Sequence, residues 1–238
     1  MENAKDVNDV YIFGSAEIAS LAAFYFTHDT PMTVRGFVVD DEFVSEKSLE
    51  GLPIWGWSEF RKAHPVDGTR VHVALSYRGL NRLRERKFQQ VKQAGYLMPS
   101  YISSKATSWP GFRYGDNCFV LEGQNLQPNV TLGDNVMLWS NNHIGHGSTI
   151  DSHAYLASEI VVSGHVRIGA RTFIGVNSTI RDFVTIGHDS FIAMGASVTQ
   201  DLEPGSVVLG PRSTILDAKD DKALRIRRSA FGESAPHF

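Results

Sequence analysis

Aliphatic or aromatic residues recur at an unbroken six-residue spacing through the middle of this chain. Fifteen residues keep this spacing: Tyr114, Val120, Leu126, Leu132, Leu138, Ile144, Ile150, Leu156, Val162, Ile168, Ile174, Ile180, Ile186, Ile192 and Val198. Neither an α-helix nor a β-strand has this period. A fixed internal repeat of this kind predicts a solenoid in which three hexads form one triangular coil. Residue n should then lie beneath residue n+18, about 4.8 Å away.

Two further positions of the hexad support this interpretation. The residue after the aliphatic is often glycine, as at Gly133 and Gly145, and we expect these glycines to adopt corner conformations that other residues avoid. The fifth residue of the hexad is small or β-branched, as at Ser148, Ala154 and Val166, which suits a narrow interior. The sequence therefore predicts a parallel β-helix.

The composition limits the class of protein. The 238 residues suit one or two domains, and the 42% hydrophobic content is enough to bury a core. The net charge of -3 comes with interspersed charges and no basic stripe, which argues against nucleic acid as a partner. One cysteine, Cys118, favours a reducing compartment. Neither an eighteen-residue apolar run nor an apolar N-terminus is present, so we expect a cytoplasmic protein with no membrane span.

The residues before the repeat follow a different pattern, in which strands alternate with helices. We predict strands at 10–13, 32–39, 71–74 and 96–102, and helices at 16–26, 57–63 and about 80–91. This alternation favours a parallel α/β sheet, and its length suits half of a dinucleotide-binding fold. We therefore divide the chain into a substrate-binding domain at 1–106, a β-helix at 107–216 and a C-terminal helix and tail at 217–238.

One histidine of the repeat stands in an unusual environment. His146 follows the polar residues Asn142 and His143, is flanked by glycines, and has Gly164 one coil later. The N–H of Gly164 can therefore approach a small ligand beside the imidazole. Imidazole as a general base is typically worth about 10²–10⁴-fold in rate. An N–H that binds the tetrahedral oxyanion adds roughly 10²–10³-fold, so the pair favours acyl transfer.

A zinc site is the rival chemistry for these histidines. His143, His146 and His165 would supply neutral imidazoles, which zinc accepts. However, His143 and His146 occupy different hexad positions and should point in different directions, so we expect no metal. For His153 and His188 we predict solvent-facing turn positions.

The order of elements resembles the sugar N- and O-acyltransferases of the bacterial sialic-acid and bacillosamine pathways. The segments that carry the resemblance are GFVVDD at 36–41, ISSKA at 102–106, IGHG at 144–147, SGHVRIG at 163–169 and PGSVVLG at 204–210. The resemblance spans about 10–216. It implies a half-Rossmann nucleotide-sugar domain, a left-handed β-helix, acetyl-CoA as co-substrate and a homotrimer with active sites between subunits.

The resemblance also implies roles for individual residues. His146 takes the position of the base, and Gly164 that of the contact to the acyl carbonyl. Tyr155 replaces the family's second histidine and would bind coenzyme A, whose phosphates Arg212 would contact. The residues expected to contact the substrate are Ser15, Asp40, Asp41, Asn142 and His143.

Two departures from the family pattern leave questions open. The family often has an acidic residue beside the base, where this chain has glycine, so the group that orients His146 is unassigned. Asn142 and His143 are candidates. The phosphate loop is reduced to residues 14–17, and Glu17 near the start of a helix disfavours phosphate.

The resulting hypothesis is an acetyl-CoA-dependent acetyltransferase, acting most readily on the amine of a nucleotide-linked amino sugar in bacterial surface-glycan biosynthesis, such as that of lipopolysaccharide. Sugar O-acetylation, transfer of a longer acyl group and a non-catalytic β-helix scaffold are the alternatives. Trp139, Phe173 and Phe183 are the expected contacts between subunits of the trimer.

Overall fold

The computed structural model describes residues 8–232, which form an N-terminal α/β sheet and a long parallel β-helix. The N-terminal elements are β1 (Asp9–Phe13), α1 (Glu17–Asp29), β2 (Thr33–Val39), a 3₁₀ turn (Asp41–Phe43), β3 (Ser48–Leu49), β4 (Leu52–Gly56), α2 (Trp57–Ala63), β5 (Arg70–Val73) and α3 (Arg82–Gln93). No helix in the described residues has the length and apolar character needed to cross a membrane.

The N-terminal sheet has the strand order β3-β4-β2-β1-β5. All of its pairs are parallel except β3 with β4. The order β4-β2-β1-β5 matches the first half of a dinucleotide-binding sheet, in which the chain crosses over beside β1. The sequence pattern did not reveal β3, which has two residues, or β4, which contains Pro53.

The prediction that residues 96–102 form the last strand of this sheet is wrong. Leu97 forms one isolated bridge with Arg70. Tyr101–Ile102 instead pairs with Phe119–Val120, so it forms the first strand of the β-helix. The eighteen-residue spacing of this pair extends the solenoid upstream of residue 107.

The β-helix consists of two-residue strands that form three parallel sheets. The strands are β6 (Tyr101–Ile102), β7 (Thr107–Ser108), β8 (Phe119–Val120), β9 (Asn125–Leu126), β10 (Thr131–Leu132), β11 (Met137–Leu138), β12 (His143–Ile144), β13 (Thr149–Ile150), β14 (Tyr155–Leu156), β15 (Val161–Val162), β16 (Arg167–Ile168), β17 (Phe173–Ile174), β18 (Thr179–Ile180), β19 (Thr185–Ile186), β20 (Phe191–Ile192), β21 (Ser197–Val198) and β22 (Val207–Val208). The sheets contain seven, six and four strands.

The eighteen-residue register predicted from the sequence is confirmed along the β-helix. Leu138 pairs with Leu156, and Ile144 pairs with Val162. Fourteen of the fifteen repeat residues are buried at 3% exposure or less, while Tyr114 is 51% exposed. The small residues at the fifth hexad position are also buried, so both sets fill one continuous core.

The repeat requires its glycines for a different reason from the one predicted. None of those that directly follow a repeat aliphatic has a positive φ. A Cβ on Gly133 would lie 2.6 Å from the main-chain nitrogen of Ser152 in the next coil, so these glycines permit close stacking of coils. The left-handed corner lies two residues later, where φ is +57° to +64° at the asparagines Asn117, Asn129, Asn135, Asn141 and Asn177. Asparagine tolerates this conformation well.

The β-helix ends at β22, which pairs with β20, and one helix follows. Helix α4 (Asp221–Phe231) is capped by Asp220, whose carboxylate accepts a hydrogen bond from the Lys222 N–H at 2.7 Å. Within the segment 217–238 predicted as a helix and tail, the helix therefore spans Asp221–Phe231. Most of the predicted C-terminal tail, 233–238, lies outside the described residues.

The N-terminal domain covers the outer face of the seven-stranded sheet. Tyr101, Phe119, Met137 and Tyr155 of that face are buried against α1 and its neighbours. Trp139 and Phe173 pack partly buried into the same cluster. The structure thus places two of the three aromatic residues expected between subunits in a contact within the chain. The third, Phe183, is 70% exposed.

A row of polar side chains at the left-handed corners joins the two parts of the chain. The Asn117 amide exchanges two hydrogen bonds with the backbone of Val73 and donates to Asn135 Oδ1 at 2.9 Å. Asn135 Nδ2 is 2.9 Å from His153 Nδ1. His153 is only 6% exposed, so its predicted solvent-facing position is wrong. Burial lowers the pKa of His153 to about 4, which keeps the ring neutral.

Asp29 ties the end of α1 to the first coil. Its carboxylate accepts hydrogen bonds from the Ser104 hydroxyl, the Ser104 N–H at 2.9 Å and the Tyr101 hydroxyl at 2.7 Å. The Ser104 hydroxyl and then the Tyr101 hydroxyl stabilise the ionised form most, and they lower the pKa of Asp29 from 3.8 to about 2.

Replacing Asp29 with asparagine should therefore destabilise the protein at pH 7 but not near pH 2. A carboxyl with a depressed pKa stabilises the fold above its unfolded pKa, so this contribution is lost as the pH falls from about 4 to about 2. The check is the difference in unfolding free energy between wild type and Asp29→Asn, measured in urea at pH 7 and near pH 2. The difference cancels the contributions of buried histidines. A gap that stays constant with pH would contradict the assignment.

Candidate active site

His146 lies at an open corner of the β-helix, between β12 of the six-stranded sheet and β13 of the four-stranded sheet. Its side chain is exposed, and the flanking glycines leave the corner accessible. The polar group in contact with the ring is Gln127, one coil earlier. Gln127 Oε1 lies 2.9 Å from the main-chain nitrogen of His146 and 3.1 Å from its Nδ1.

Gly164 lies directly against the imidazole, as the repeat predicted. A Cβ at this position would lie 2.7 Å from His146 Cε1 and 2.9 Å from Nε2, so only glycine leaves the ring its place. At the same hexad position, the Asp134 N–H donates to Ser152 Oγ at 3.0 Å. The Gly164 N–H donates no hydrogen bond to any of residues 8–232, which leaves it available for a ligand.

Two aromatic rings continue the corner beside His146. The His165 ring meets the His146 ring edge to face, with 4.8 Å between centroids. Phe183 stacks on His165 at 5.2 Å. The backbone of Phe183 is left-handed, with a φ of +62°, which is rare for a bulky residue. The corner therefore offers a base, an unpaired N–H and an apolar wall.

A second candidate site lies at the carboxyl ends of the N-terminal strands, where open α/β sheets bind ligands. The cavity has a volume of about 680 Å³. Its lining residues are Phe13, Gly14, Ser15, Ala16, Val39, Asp40, Glu42, Phe43, Leu75, Arg78, Gly79, Leu83, Arg86 and Lys87. Lys87 Nζ binds Asp40 Oδ1 at 2.7 Å. Three cations against two carboxylates favour an anionic ligand.

The structure separates the two neighbouring aspartates predicted to bind substrate. Asp40 lines the cavity together with Ser15. Asp41 instead accepts hydrogen bonds from the Ser58 N–H at 2.9 Å and the Ser58 hydroxyl at 2.5 Å. These bonds, the hydroxyl first, lower the pKa of Asp41. Asp41 thus stabilises the start of α2, and it does not line the cavity.

Three other predicted site residues do not reach His146. Asn142 is 1% exposed and uses its side chain within the coil, where Nδ2 donates to Trp139 O at 2.6 Å. Tyr155 lies on the seven-stranded sheet, stacked on Phe173, and burial raises its pKa to about 12. Arg212 is exposed in the irregular segment after β22. The substrate role of Asn142 and the coenzyme role of Tyr155 therefore have no support in the packing of this chain.

The structure also shows the position of His143 and bears on the alternative of a zinc site. His143 is a partly exposed residue of β12, paired with Asn125 and Val161. Residues 8–232 contain no group of three or more histidine, cysteine or acidic side chains arranged to hold a metal ion. His146 and His165 are in ring contact, but no third ligand joins them within that range.

The sequence interpretation missed four residues of these sites. Gln127 lies nineteen residues before His146, and the eighteen-residue coil period was the signal that could have placed it beneath the base. Arg78, Arg86 and Lys87 enter the N-terminal cavity from α3 and the loop before it. These three cationic residues follow the carboxyl end of β5 in the sequence. Because ligands of such sheets bind at that edge, this position could have predicted that they line the cavity.

The comparisons with known proteins agree with this architecture. A family model described as bacterial transferase hexapeptide (six repeats) matches residues 165–200. No curated protein matches the sequence. The matched segment lies within the β-helix and carries its hexapeptide repeat.

Several solved structures share the fold of almost the whole chain. The acetyltransferase domain of PglB from Neisseria gonorrhoeae, in complex with acetyl coenzyme A, has a TM-score of 0.76 at 22% identity, covering 88% of this chain and 99% of that chain. PerB from Caulobacter crescentus, in complex with CoA and GDP-perosamine, has a TM-score of 0.72 at 23% identity, covering 86% and 99%. WeeI from Acinetobacter baumannii has a TM-score of 0.59 at 18% identity, covering 87% and 99%.

These matches confirm the predicted fold class, an α/β domain followed by a left-handed parallel β-helix. The resemblance to sugar acyltransferases of this type, predicted from segments of the sequence, is confirmed as well.

Proposed function

We propose that this chain is an acetyl-CoA-dependent acetyltransferase that acts on a sugar, with N-acetylation of a nucleotide-linked amino sugar as the preferred reaction. The observation that carries the proposal is the position of the His146 ring against Gly164, a residue whose N–H is unpaired, at an open corner. A general base beside an oxyanion donor is the arrangement that acyl transfer needs.

The residues have distinct roles in this reaction. His146 removes a proton from the acceptor amine as its nitrogen bonds to the thioester carbon. The Gly164 N–H donates a hydrogen bond to the oxyanion of the tetrahedral intermediate. When the C–S bond breaks, the protonated imidazole returns the proton to the sulfur, so coenzyme A leaves as a thiol and the amide forms. His146 ends in its starting state.

The N-terminal cavity is the proposed site for the nucleotide of the acceptor. Its cations Arg78, Arg86 and Lys87 suit a diphosphate, and Asp40 offers a carboxylate to a base or ribose hydroxyl. The neighbours support this choice, since PerB was solved with GDP-perosamine and CoA. Arg212 remains the proposed contact for the coenzyme phosphates, because it is exposed near the end of the β-helix.

A homotrimer would complete the site. No residue that lines the N-terminal cavity contacts His146 or Gly164 within residues 8–232. We infer that a neighbouring subunit brings its cavity to the corner that carries His146 and that Phe183 contributes to this contact. We also infer a cytoplasmic reaction in bacterial surface-glycan biosynthesis.

The test is acetyl-CoA turnover, followed as thiol release, with a panel of UDP-, GDP- and dTDP-linked 4-amino sugars and their 4-hydroxyl analogues. We expect release with one amino sugar and none with its hydroxyl analogue. The mass of the same preparation by light scattering should be that of a trimer, and a monomer would contradict the shared site.

The panel also decides between the proposal and its alternatives. Turnover only with hydroxyl acceptors would identify a sugar O-acetyltransferase. Coenzyme A binding without turnover on any acceptor would contradict catalysis and favour a β-helix scaffold.

A further inference from the structure

Gln127 is the polar side chain that holds the His146 ring, and it lies one coil away rather than beside it in the sequence. It follows β9 directly and is partly buried beneath the corner. We propose that Gln127 is a positioning residue that sets both the orientation and the tautomer of the His146 imidazole. This inference rests on the proposed role of His146 as a general base.

The first step is the orientation of the Gln127 amide. The main-chain nitrogen of His146 can only donate a hydrogen bond, and it lies 2.9 Å from the Gln127 side chain. The atom at that position must therefore be the carbonyl oxygen Oε1, because the NH₂ group cannot accept. The Gln127 backbone is itself held by a hydrogen bond from its N–H to Ile144 O at 3.0 Å.

The second step is the tautomer of the ring. His146 Nδ1 lies 3.1 Å from the same oxygen, Oε1 of Gln127. A carbonyl oxygen only accepts, so Nδ1 must carry the hydrogen in the neutral imidazole. The opposite tautomer would set two lone pairs against each other. The lone pair of the base is thereby assigned to Nε2.

The third step is the direction in which Nε2 points. A Cβ built on Gly164 would lie 2.7 Å from Cε1, 2.9 Å from Nε2 and 3.2 Å from Nδ1, so the side of the ring that includes Nε2 packs against the residue whose N–H is unpaired. The Gln127 contact holds the Nδ1 edge of the ring, which leaves the free lone pair on Nε2, in a ring that packs against Gly164. In the proposed reaction the base then acts on the acceptor nitrogen and the N–H donor on the oxygen of the thioester that it attacks.

The candidates suggested by the sequence are not free to do this. The Asn142 side chain donates to Trp139 O at 2.6 Å and accepts from the Ile160 N–H at 2.8 Å. His143 makes no hydrogen bond to His146 within the described residues. Gln127 therefore takes the place of the acidic neighbour that the sequence lacks.

A neutral amide orients the ring differently from a carboxylate. A carboxylate near an imidazole stabilises the imidazolium, whereas glutamine supplies an acceptor without a charge. Of the groups packed against His146, Gly147, Gly164 and Gln127 carry no charge, and His165 is the titratable ring in contact. Glutamine here should keep the base unprotonated to lower pH than glutamate would.

The experiment compares wild type with Gln127→Leu and Gln127→Glu. Nitrogen-15 NMR of the ligand-free protein should show His146 as the Nδ1–H tautomer in wild type and a loss of this preference in Gln127→Leu. Gln127→Leu should lower kcat about 10–100-fold, the usual loss when a group that orients a metal-ligating histidine is removed, with KM for acetyl-CoA little changed. Gln127→Glu should recover most of kcat and move the acidic limb of the pH profile up by about 1 pH unit or more.

Two controls keep the outcomes distinct. Gln93→Leu removes an exposed glutamine from α3, so it should leave the tautomer, kcat and pH profile unchanged. Thermal unfolding of each variant excludes a folding defect. An unaltered tautomer and kcat in Gln127→Leu, or an unmoved acidic limb in Gln127→Glu, would overturn the proposal. If wild type transfers no acetyl group, the proposed function fails, while the NMR result still decides whether Gln127 sets the tautomer.

Discussion

Replacing His146 with alanine should lower kcat for acetyl transfer by about 10²–10⁴-fold, the usual contribution of a general base. The KM for acetyl-CoA should stay within a few-fold, because the proposed coenzyme contacts lie elsewhere. The loss follows from chemistry rather than folding, since the side chain is exposed and its removal leaves the coil core untouched. Initial rates at saturating acceptor provide the measurement.

His188→Ala is the matched control for this variant. His188 occupies the same hexad position as His146 at another corner, and its side chain is also exposed, but it contacts Asp189 instead of a glutamine and a glycine. We expect His188→Ala to keep kcat within a few-fold. Near-wild-type turnover in His146→Ala would show that another group is the base.

Arg84→Met should lower the free energy of unfolding by about 3–5 kcal/mol, because the carbonyls that it serves would be left buried without partners. Arg84 is 1% exposed and reaches from α3 into the corner of the β-helix. Its guanidinium donates to Asn135 O, to His153 O at 2.9 Å and to Asn81 Oδ1 at 3.1 Å. Burial lowers the pKa of Arg84 to about 10, so it stays charged at neutral pH.

The measurement is urea unfolding followed by tryptophan fluorescence and by far-ultraviolet circular dichroism. Arg82→Met is the control, because Arg82 lies on the same helix with a side chain that is 54% exposed in its ion pair with Asp189. Exposed pairs of this kind are worth about 0–1 kcal/mol. Equal losses in the two variants would contradict a special role for Arg84. Two separate transitions in Arg84→Met would indicate that Arg84 couples the domains.

The coil repeat could be predicted from the sequence because it depends only on the spacing of residues along the chain. Each hexad must bury its aliphatic residue in the same narrow interior, so the period appears directly in the sequence and sets the pairing of Ile144 with Val162. The same period predicted that His146 and Gly164 lie together, as they do in the structure. The predicted corner conformation of the repeat glycines was wrong. A side chain is excluded there by a clash with the backbone of the next coil.

The packing of the two domains could not be predicted from spacing along the sequence. Tyr155 and His153 occupy regular repeat positions, and nothing in the local pattern distinguishes a solvent-facing position from one covered by another domain. Only the docking of the N-terminal domain buries them, Tyr155 on the seven-stranded sheet and His153 at the corner that contacts Phe88 of α3. That docking depends on contacts between residues as far apart as Arg84 and Ala154.

The sequence by itself determined the β-helix, its register and the pair of His146 with Gly164, since a repeating local interaction specifies all three. The tertiary structure decided which side chains serve that pair. Gln127 orients the ring across one coil, and the cations of α3 reach the N-terminal cavity. These contacts join separate stretches of chain, so their partners depend on how whole elements pack rather than on spacing along one element.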